Sequence, residues 1–233
     1  MRERTLAVDG SGPEGGVALL EEDRIVEEVR FAEGSGFGVT LPTEVATLLE
    51  RHGCSFADLG LLAVTLGPGS FTGLRIALGL AKGIALVHSL PIAGISTLEL
   101  AATATGLTHG LVLSLKDAGG SLLFHALYRR DGDRLDCVLP PAMGSIEALV
   151  PSLLAATFFD EPVFCCGPGL DGCRIPLQAA LGPRFLMPET PFVQPGPGLL
   201  GCRGLHHACP TRYPGSLELE PLYLRPPQAV MNH

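Results

Sequence analysis

Residues 67–75 read GPGSFTGLR, and they are the most informative part of the 233-residue chain. An apolar segment, 61–66, precedes it, and a segment of small and apolar residues with a helical pattern, 76–87, follows it. Strand, glycine-rich turn and helix in this order direct backbone N–H groups and the positive end of a helix dipole to one place, where an anion can bind. The alternative is a tight strand-to-helix turn that buries Phe71 and holds no ligand.

The glycines suit such a turn. Gly67, Gly69 and Gly73 permit positive φ and a close approach of backbone, and Pro68 stiffens the chain. No Lys-Ser or Lys-Thr pair follows the last glycine, so the stretch is not a Walker A loop. Its spacing does not fit the dinucleotide fingerprint either.

The first half of the chain predicts three strands, a helix, a strand and a helix, with a third helix after them. We expect strands over 6–8, 17–20, 25–31 and 61–66, and helices over 41–52, from 76 to about 87, and over 98–104. The first helix has an apolar stripe with helical period, Thr40 as its cap and Gly53 as its end. Ser96 and Glu99 have capping-box spacing for the third helix.

The second half repeats this order. Strands are expected over 111–115, 122–128 and 134–139, a helix over 146–156, a strand over 163–166, a short helix near 177–181, a strand over 185–187 and a last helix. Gly167-Pro168-Gly169 forms a second strand-to-loop glycine turn. Two tandem βββαβα halves predict an α/β protein of the ribonuclease-H-like plan found in actin, sugar kinases and heat-shock ATPases. The halves should be 1–105 and 106–233, with the cleft between them as the place for a nucleotide.

Composition limits the function. Apolar residues make up 46% and charged residues 17%, which is typical of a globular chain. No apolar run reaches the roughly 18–20 residues that span a bilayer, and no signal peptide is recognisable, so we expect a cytoplasmic protein without a membrane contact. The net charge of −8 and the pI near 5.3 argue against binding of RNA by this chain alone.

The seven cysteines show no disulfide framework, so free thiols are expected, with Cys165 and Cys166 buried in a strand. One cluster could suggest a metal: Cys202, His206, His207 and Cys209. Cys202 and His206 would share a face of a helix over 199–208, at i and i+4. Zinc needs four convergent ligands with a shaped surrounding shell, and we favour a helix with incidental histidines and no metal.

Four segments resemble the TsaB (YeaZ) family of bacterial tRNA modification. They are LAVDGS at 6–11, the glycine-rich stretch, GISTLE at 94–99 and EPLYLR at 220–225. Two segments depart from the family pattern. Val39-Thr40-Leu41-Pro42-Thr43-Glu44 stands where members have His-Ser-Glu before the first long helix, and Asp117-Ala118-Gly119 stands where members have Asp-Ala-Arg.

The resemblance implies a ribonuclease-H-like fold and a non-catalytic scaffold subunit. The complex would transfer threonylcarbamoyl to the adenosine next to the tRNA anticodon. A TsaD-type subunit would hold the metal and do the transfer, and a TsaE-type ATPase would reset the complex. On this reading the chain pairs with itself when alone and contacts tRNA only indirectly.

The resemblance also implies that helices of the first half bind the catalytic subunit. Ala77, Ala81 and Ala85 repeat every four residues on the second helix, with Gly79 and Gly83 on a neighbouring face. Small residues permit close approach of helices, either inside the domain or to a partner. The residues expected at the partner interface are Val45, Leu48, Leu49, Ala77, Ala81, Lys82 and Ala85.

Two alternative functions use other features. A small-molecule kinase or ATPase would use Asp9 and Asp117 across the cleft to hold Mg²⁺ or act as base. Both aspartates are equally suited to hairpin turns. Weak ATP or ADP binding is the one cofactor expectation, at Asp9, Ser11, Gly67, Gly69 and Asp117. The other alternative is a self-sufficient homodimeric binding module.

Proteolysis is not expected. A metallopeptidase of the type once assigned to this group needs two histidines at i and i+4, but the first helix has Thr40 and Glu44 at that spacing. Ser70 does not lie in a Gly-x-Ser-x-Gly elbow.

Overall fold

The computed structural model describes residues 4–13, 15–31, 37–158, 160–207 and 218–224. The chain divides into two compact units. The first contains Met1–Leu100 and Pro195–Leu222, and the second contains Ala101–Gln194 and Tyr223–His233.

The first unit is built on a five-stranded mixed sheet. Its elements are β1 (Arg4–Asp9), β2 (Gly16–Glu21), β3 (Arg24–Arg30), α1 (Phe37–Arg51), β4 (Leu59–Gly67), α2 (Phe71–His88) and β5 (Ile92–Ser96). The next helix, α3 (Thr97–Thr103), begins in this unit and ends in the second. The strand order is β3-β2-β1-β4-β5. β1, β2 and β3 pair antiparallel as hairpins, whereas β4 and β5 run parallel to β1.

Both faces of this sheet are buried along β1, β2, β4 and β5, whereas the edge strand β3 is partly exposed. On one face, α1 and α2 pack against β-branched and leucine side chains such as Leu6, Val8 and Val64. On the other face lie small residues, among them Ala7 and Ala63. Near-continuous apolar strands of this kind are typical of sheets that are covered on both sides.

The helix that covers the second face comes from the end of the chain. This helix, α6 (Pro197–Leu205), contacts β1, β2 and β4 closely. A Cβ added to Gly204 would lie 2.8 Å from the Cβ of Ala63, and one added to Gly201 would overlap the side chain of Leu20. Glycine on the helix and alanine on the sheet therefore let the two backbones approach.

An ion pair fixes α6 at this position. Arg203 Nε donates to Glu99 Oε1 at 2.7 Å, and both side chains are largely buried. Removing one partner of such a pair would leave an uncompensated charge, which is strongly destabilising. Ser96 Oγ accepts from Leu98 N at 3.2 Å, so the serine of the predicted capping box caps α3. The glutamate of that box, Glu99, forms the ion pair with Arg203.

The second unit repeats the same plan. Its elements are β6 (His109–Gly119), β7 (Leu122–Asp131), β8 (Arg134–Ser145), α4 (Ile146–Ala156), β9 (Val163–Cys166), α5 (Leu170–Leu181) and β10 (Phe185–Leu186). The order β10-β9-β6-β7-β8 is that of the first sheet read from the other edge. The predicted fold of two tandem ribonuclease-H-like halves is confirmed.

Several predicted boundaries are wrong. Residues 106–233 do not all belong to the second half, because α6 packs on the first sheet. The first helix begins at Phe37, so Thr40 lies inside it and does not cap it. β5 coincides with no predicted strand, and α5 begins seven residues before the predicted helix at 177. The predicted end of the first helix at Gly53 is confirmed by a φ of 58°. Ser145 Oγ caps α4 by accepting from Ala148 N at 3.4 Å.

The expectation that no segment is long enough to span a bilayer needs correction. α2 has 18 residues and is apolar enough, by length and composition, to cross a membrane. Helices in the core of a folded domain meet the same criterion. Ala77, Ala81 and Ala85 of α2 are fully buried in the core of the first unit.

We predict that His125 makes the stability of the protein depend on pH. It lies on β7 and is 9% exposed, and within the described residues its Nδ1 has no hydrogen-bond partner. Burial lowers the pKa of His125 from its ordinary value of 6.5. Because the unfolded chain takes up the proton first, the free energy of unfolding should fall as the pH drops below about 6.5.

Urea unfolding at a series of pH values tests this expectation. His125→Gln should reduce the loss of stability between about pH 6.5 and 5. His206→Gln, which changes an exposed histidine, is the control and should leave the slope unchanged. Equal slopes for both variants would contradict the role of His125.

Candidate functional site

The glycine-rich loop packs against the turn that follows β1. A Cβ added to Gly69 would overlap Ser11 O, and one added to Gly73 would overlap Gly10 O. Ser70 N donates to Ser11 O at 2.9 Å. The glycines at 69 and 73 are therefore required by the close approach of two backbone segments within the first unit.

We call this contact between the glycine-rich loop and the turn after β1 the joint, and the side chain of Asp9 stabilises it. Asp9 is 3% exposed, and its Oδ1 accepts hydrogen bonds from Ser11 N and from Thr65 Oγ1, both at 2.9 Å. Gly10 N donates to Thr65 Oγ1 at 3.2 Å. The carboxylate thus ties the end of β1 to β4.

The first turn of α2 is capped from the loop. Ser70 Oγ accepts from Gly73 N at 3.2 Å, so the helix begins inside the quoted stretch and not at residue 76. The ligand-free alternative predicted that Phe71 is buried, but this residue is 51% exposed. Its ring lies 3.8 Å below the guanidinium of Arg75, in a cation–π contact on the outer side of the helix.

The second unit contains a similar close contact of a glycine with the turn after its first strand. Gly167 has a φ of 104°, close to the 100° of Gly67. A Cβ added to Gly169 would lie 2.8 Å from the carbonyl carbon of Lys116, and Gly169 N donates to Leu115 O at 3.1 Å. Asp117 Oδ1 accepts from Gly119 N at 2.7 Å, so this aspartate also closes its own turn.

The residues proposed for nucleotide binding are therefore divided between the two units. Asp9, Ser11, Gly67 and Gly69 lie in the first unit, and Asp117 lies in the second. Each has a packing or hydrogen-bonding role in its own turn. Nucleotide binding by these residues stays a prediction.

The structure places most of the predicted interface residues in the interior. Six of the seven are buried in the core of the first unit, and only Lys82 is partly exposed. The six are Val45, Leu48, Leu49, Ala77, Ala81 and Ala85. Their pattern marks the faces by which α1 and α2 pack on the sheet and on each other, so these six side chains do not form a surface for a partner.

The outer side of α2 has a different composition. Arg75, Gly79, Gly83 and Leu86 follow one another at i, i+4, i+8 and i+11, and all four are exposed. We call these four residues the outer stripe. A Cβ added to Gly79 or to Gly83 would meet no atom within 4 Å, so packing among the residues that the structure describes requires neither glycine.

Glycine inside a helix costs roughly 0.5–1 kcal/mol relative to alanine. The outer stripe contains two such glycines, Gly79 and Gly83, so the helix loses this stability at both positions. Without side chains there, the surface is flat and another helix can lie close to it. α1 lies beside it, since a Cβ on Gly38 would be 3.0 Å from Ile76 Cδ1. Val39 of α1 is 84% exposed, which adds apolar area at the same end of the helix pair.

No metal centre is found in the part of the chain that the structure describes, where no three His, Cys, Asp or Glu side chains converge. Cys202 lies on α6 and donates weakly to Asp23 O at 3.5 Å. α6 ends at Leu205, so His206 lies beyond it and does not share a helical face with Cys202. Cys209 lies outside the described residues, as does Arg225 of the C-terminal motif.

Two alanine substitutions on α2 test whether the loop glycines serve packing. Gly73→Ala should destabilise the protein by about 1–3 kcal/mol, because its methyl group would overlap the backbone at Gly10. Gly79→Ala on the same helix is the matched control and should stabilise it by about 0.5–1 kcal/mol. Denaturant unfolding measures both. A Gly73→Ala protein as stable as the wild type would contradict the joint.

The sequence of this chain is similar to those of known proteins. A family model described as "TsaD: tRNA N6-adenosine threonylcarbamoyltransferase" matches residues 36–158, just over half of the chain. The tRNA threonylcarbamoyladenosine biosynthesis protein TsaB of Bacillus subtilis is 33% identical over 58% of this chain and 59% of its own length. The protein of that name from Escherichia coli is 34% identical over 59% and 63%. The chain thus spans about three fifths of the length of these curated relatives.

A solved structure supports the fold. It is described as an uncharacterized protein with similarity to peptidase YEAZ from Pseudomonas aeruginosa. It superposes with a TM-score of 0.74 at 22% identity, over 96% of this chain and 100% of the other. The family model covers α1, the glycine-rich loop and α2, which form the site described above. The chain belongs to the TsaB (YeaZ) family, within the larger group that the TsaD model describes.

Proposed function

We propose that this protein is the non-catalytic subunit of a cytoplasmic complex that forms N-threonylcarbamoyladenosine next to the tRNA anticodon. Its role is to bind and position a TsaD-type transferase. The observation that carries the proposal is the family match over 36–158, which contains the whole outer stripe. The curated relatives in this match are named as biosynthesis proteins for the same modified nucleoside.

The chemistry of the site supports a role without catalysis. Thr40 and Glu44 stand on α1 at the spacing where a paired-histidine metal site needs imidazoles. One oxygen of the Asp9 carboxylate, Oδ1, accepts hydrogen bonds from Ser11 and Thr65 inside the first unit. No observation favours the kinase alternative, because both of its aspartates close their own turns.

The outer stripe is the surface that we assign to the partner. It offers two glycines for close backbone approach, with the Phe71–Arg75 stack at one end and Leu86 at the other. Aromatic residues and arginine are enriched at the energetic centres of protein interfaces. When the TsaD-type subunit is lacking, the same stripe pairs two copies of this chain.

The acidic net charge of the chain suits a subunit that leaves tRNA binding to its partner. A net charge of −8 repels phosphate groups, so a partner must supply the basic surface that holds tRNA. A TsaE-type ATPase would join through the assembled pair. In this arrangement the chain contacts tRNA indirectly.

We predict that a charge on the outer stripe prevents assembly. Gly83→Glu should weaken the complex with the same organism's TsaD-type subunit by about tenfold or more, because assembly would bury the new carboxylate. The free protein should stay folded, since the added side chain projects into open space. Size-exclusion chromatography with scattering mass measures the complex, and circular dichroism checks the fold.

The chain offers a matched control on the second unit. Gly172 of α5 is also an exposed helical glycine with no atom within 4 Å of an added Cβ, so Gly172→Glu makes the same chemical change elsewhere. It should leave assembly unchanged. If Gly172→Glu weakens the complex as much as Gly83→Glu, or if the wild type forms no complex at tens of micromolar, the assigned surface is wrong.

Activity tests the other half of the proposal. The chain alone should transfer no threonylcarbamoyl group to tRNA, whereas adding it to the TsaD-type subunit should raise the rate of transfer. Transferase activity of the purified chain by itself would overturn the non-catalytic role.

A further inference from the structure

The C-terminal segment returns to the glycine-rich loop. Leu222 N donates to Leu66 O at 2.7 Å, at the end of β4. Leu222 O lies 3.7 Å from the position of a Cβ on Gly67. Three residues earlier, the partly buried side chain of Leu219 packs against the core of the first unit. The segment therefore has a side-chain anchor and a main-chain anchor in the unit that contains the loop.

Leu66 can accept this hydrogen bond because of an irregularity in the sheet. β4 pairs with β5 at Thr65 and Ile95, and then at Gly67 and Ser96, which leaves Leu66 as an extra residue. A bulged residue of this kind is unpaired in the ladder. The backbone N–H of Leu222 donates to Leu66 O, at a position of β4 that pairs with no residue of β5.

Gly67 connects this contact to α2. A Cβ on Gly67 would lie 2.8 Å from Leu74 Cδ1, so the bulged end of β4 rests directly on the first helical turns. Leu74 is buried on the inner side of α2, and its neighbour Arg75 begins the outer stripe. A shift at Gly67 would therefore displace the end of the helix that carries the exposed Phe71–Arg75 stack.

The loop is held on two further sides. Thr97 Oγ1 donates to Pro68 O at 2.7 Å, and Ser70 N donates to Ser11 O at 2.9 Å. These contacts secure the middle and the helical end of the loop. The contact from Leu222 secures the strand end.

We propose that residues 219–222 are a brace that holds the loop, and with it the first turn of α2, in the conformation that binds the partner. Pro221 suits this role, because it restricts the backbone of the segment before docking and so reduces the entropy that docking removes. The brace itself is a property of this chain. Its effect on partner binding rests on the proposed function.

Two substitutions at one position separate the main-chain contact from the side chain. Leu222→Pro removes the N–H group that bonds to Leu66 O, whereas Leu222→Ala keeps it. Amide hydrogen exchange of residues 67–75 should become about 2- to 10-fold faster in Leu222→Pro, in line with the loss of one hydrogen bond. It should change less in Leu222→Ala. Affinity for the TsaD-type subunit should fall in the same order.

The outcomes decide the proposal. Unchanged exchange at 67–75 in Leu222→Pro, or equal changes in both variants, would overturn the brace. Faster exchange with unchanged affinity would overturn its role in partner binding. A chain that ends at residue 217 is a second variant, and it should show the effect of Leu222→Pro or a larger one. If the wild type binds no TsaD-type subunit, the proposed function is wrong. The exchange measurement on the free chain still tests whether residues 219–222 hold the loop.

Discussion

Two backbone turns in the first unit approach so closely that Gly10, Gly69 and Gly73 have no room for a side chain, and the arrangement of the site depends on this contact. Gly69 lies against Ser11 and Gly73 lies against Gly10, while the buried Asp9 carboxylate joins the turn to Thr65 of β4. The contact fixes where α2 starts and in which direction it leaves the sheet. The second unit has a similar close contact at Gly169.

Because the joint fixes the inner side of α2, the outer side is free to serve another purpose. The alanines of α2 fill the core of the unit, whereas a Cβ added to either glycine of the outer stripe would meet no atom of the described residues within 4 Å. A helix gains stability from alanine at exposed positions, so glycine there is best explained by a surface that must come close to something else. The family match and the acidic net charge are consistent with a protein partner that binds the tRNA.

The sequence predicts the repeated fold well, because apolar periodicity and the two glycine turns mark the same elements in each half. It misplaces α6, since nothing local indicates that a C-terminal helix returns to the first sheet, where its glycines meet Leu20 and Ala63. The interface prediction failed for a related reason. Alanine at every fourth position of α2 suits a partner surface and a core equally, and only burial in the folded chain separates Ala81 from Gly83.

The most direct test of the account is amide hydrogen exchange of this chain, free and mixed with the same organism's TsaD-type subunit. Protection on mixing should appear in peptides of α1 and α2, at Val39 and along the outer stripe, and not in α4 or α5. Protection confined to the second unit, or no protection under conditions where the TsaD-type subunit is active with this chain, would contradict the claim that α2 is the partner surface.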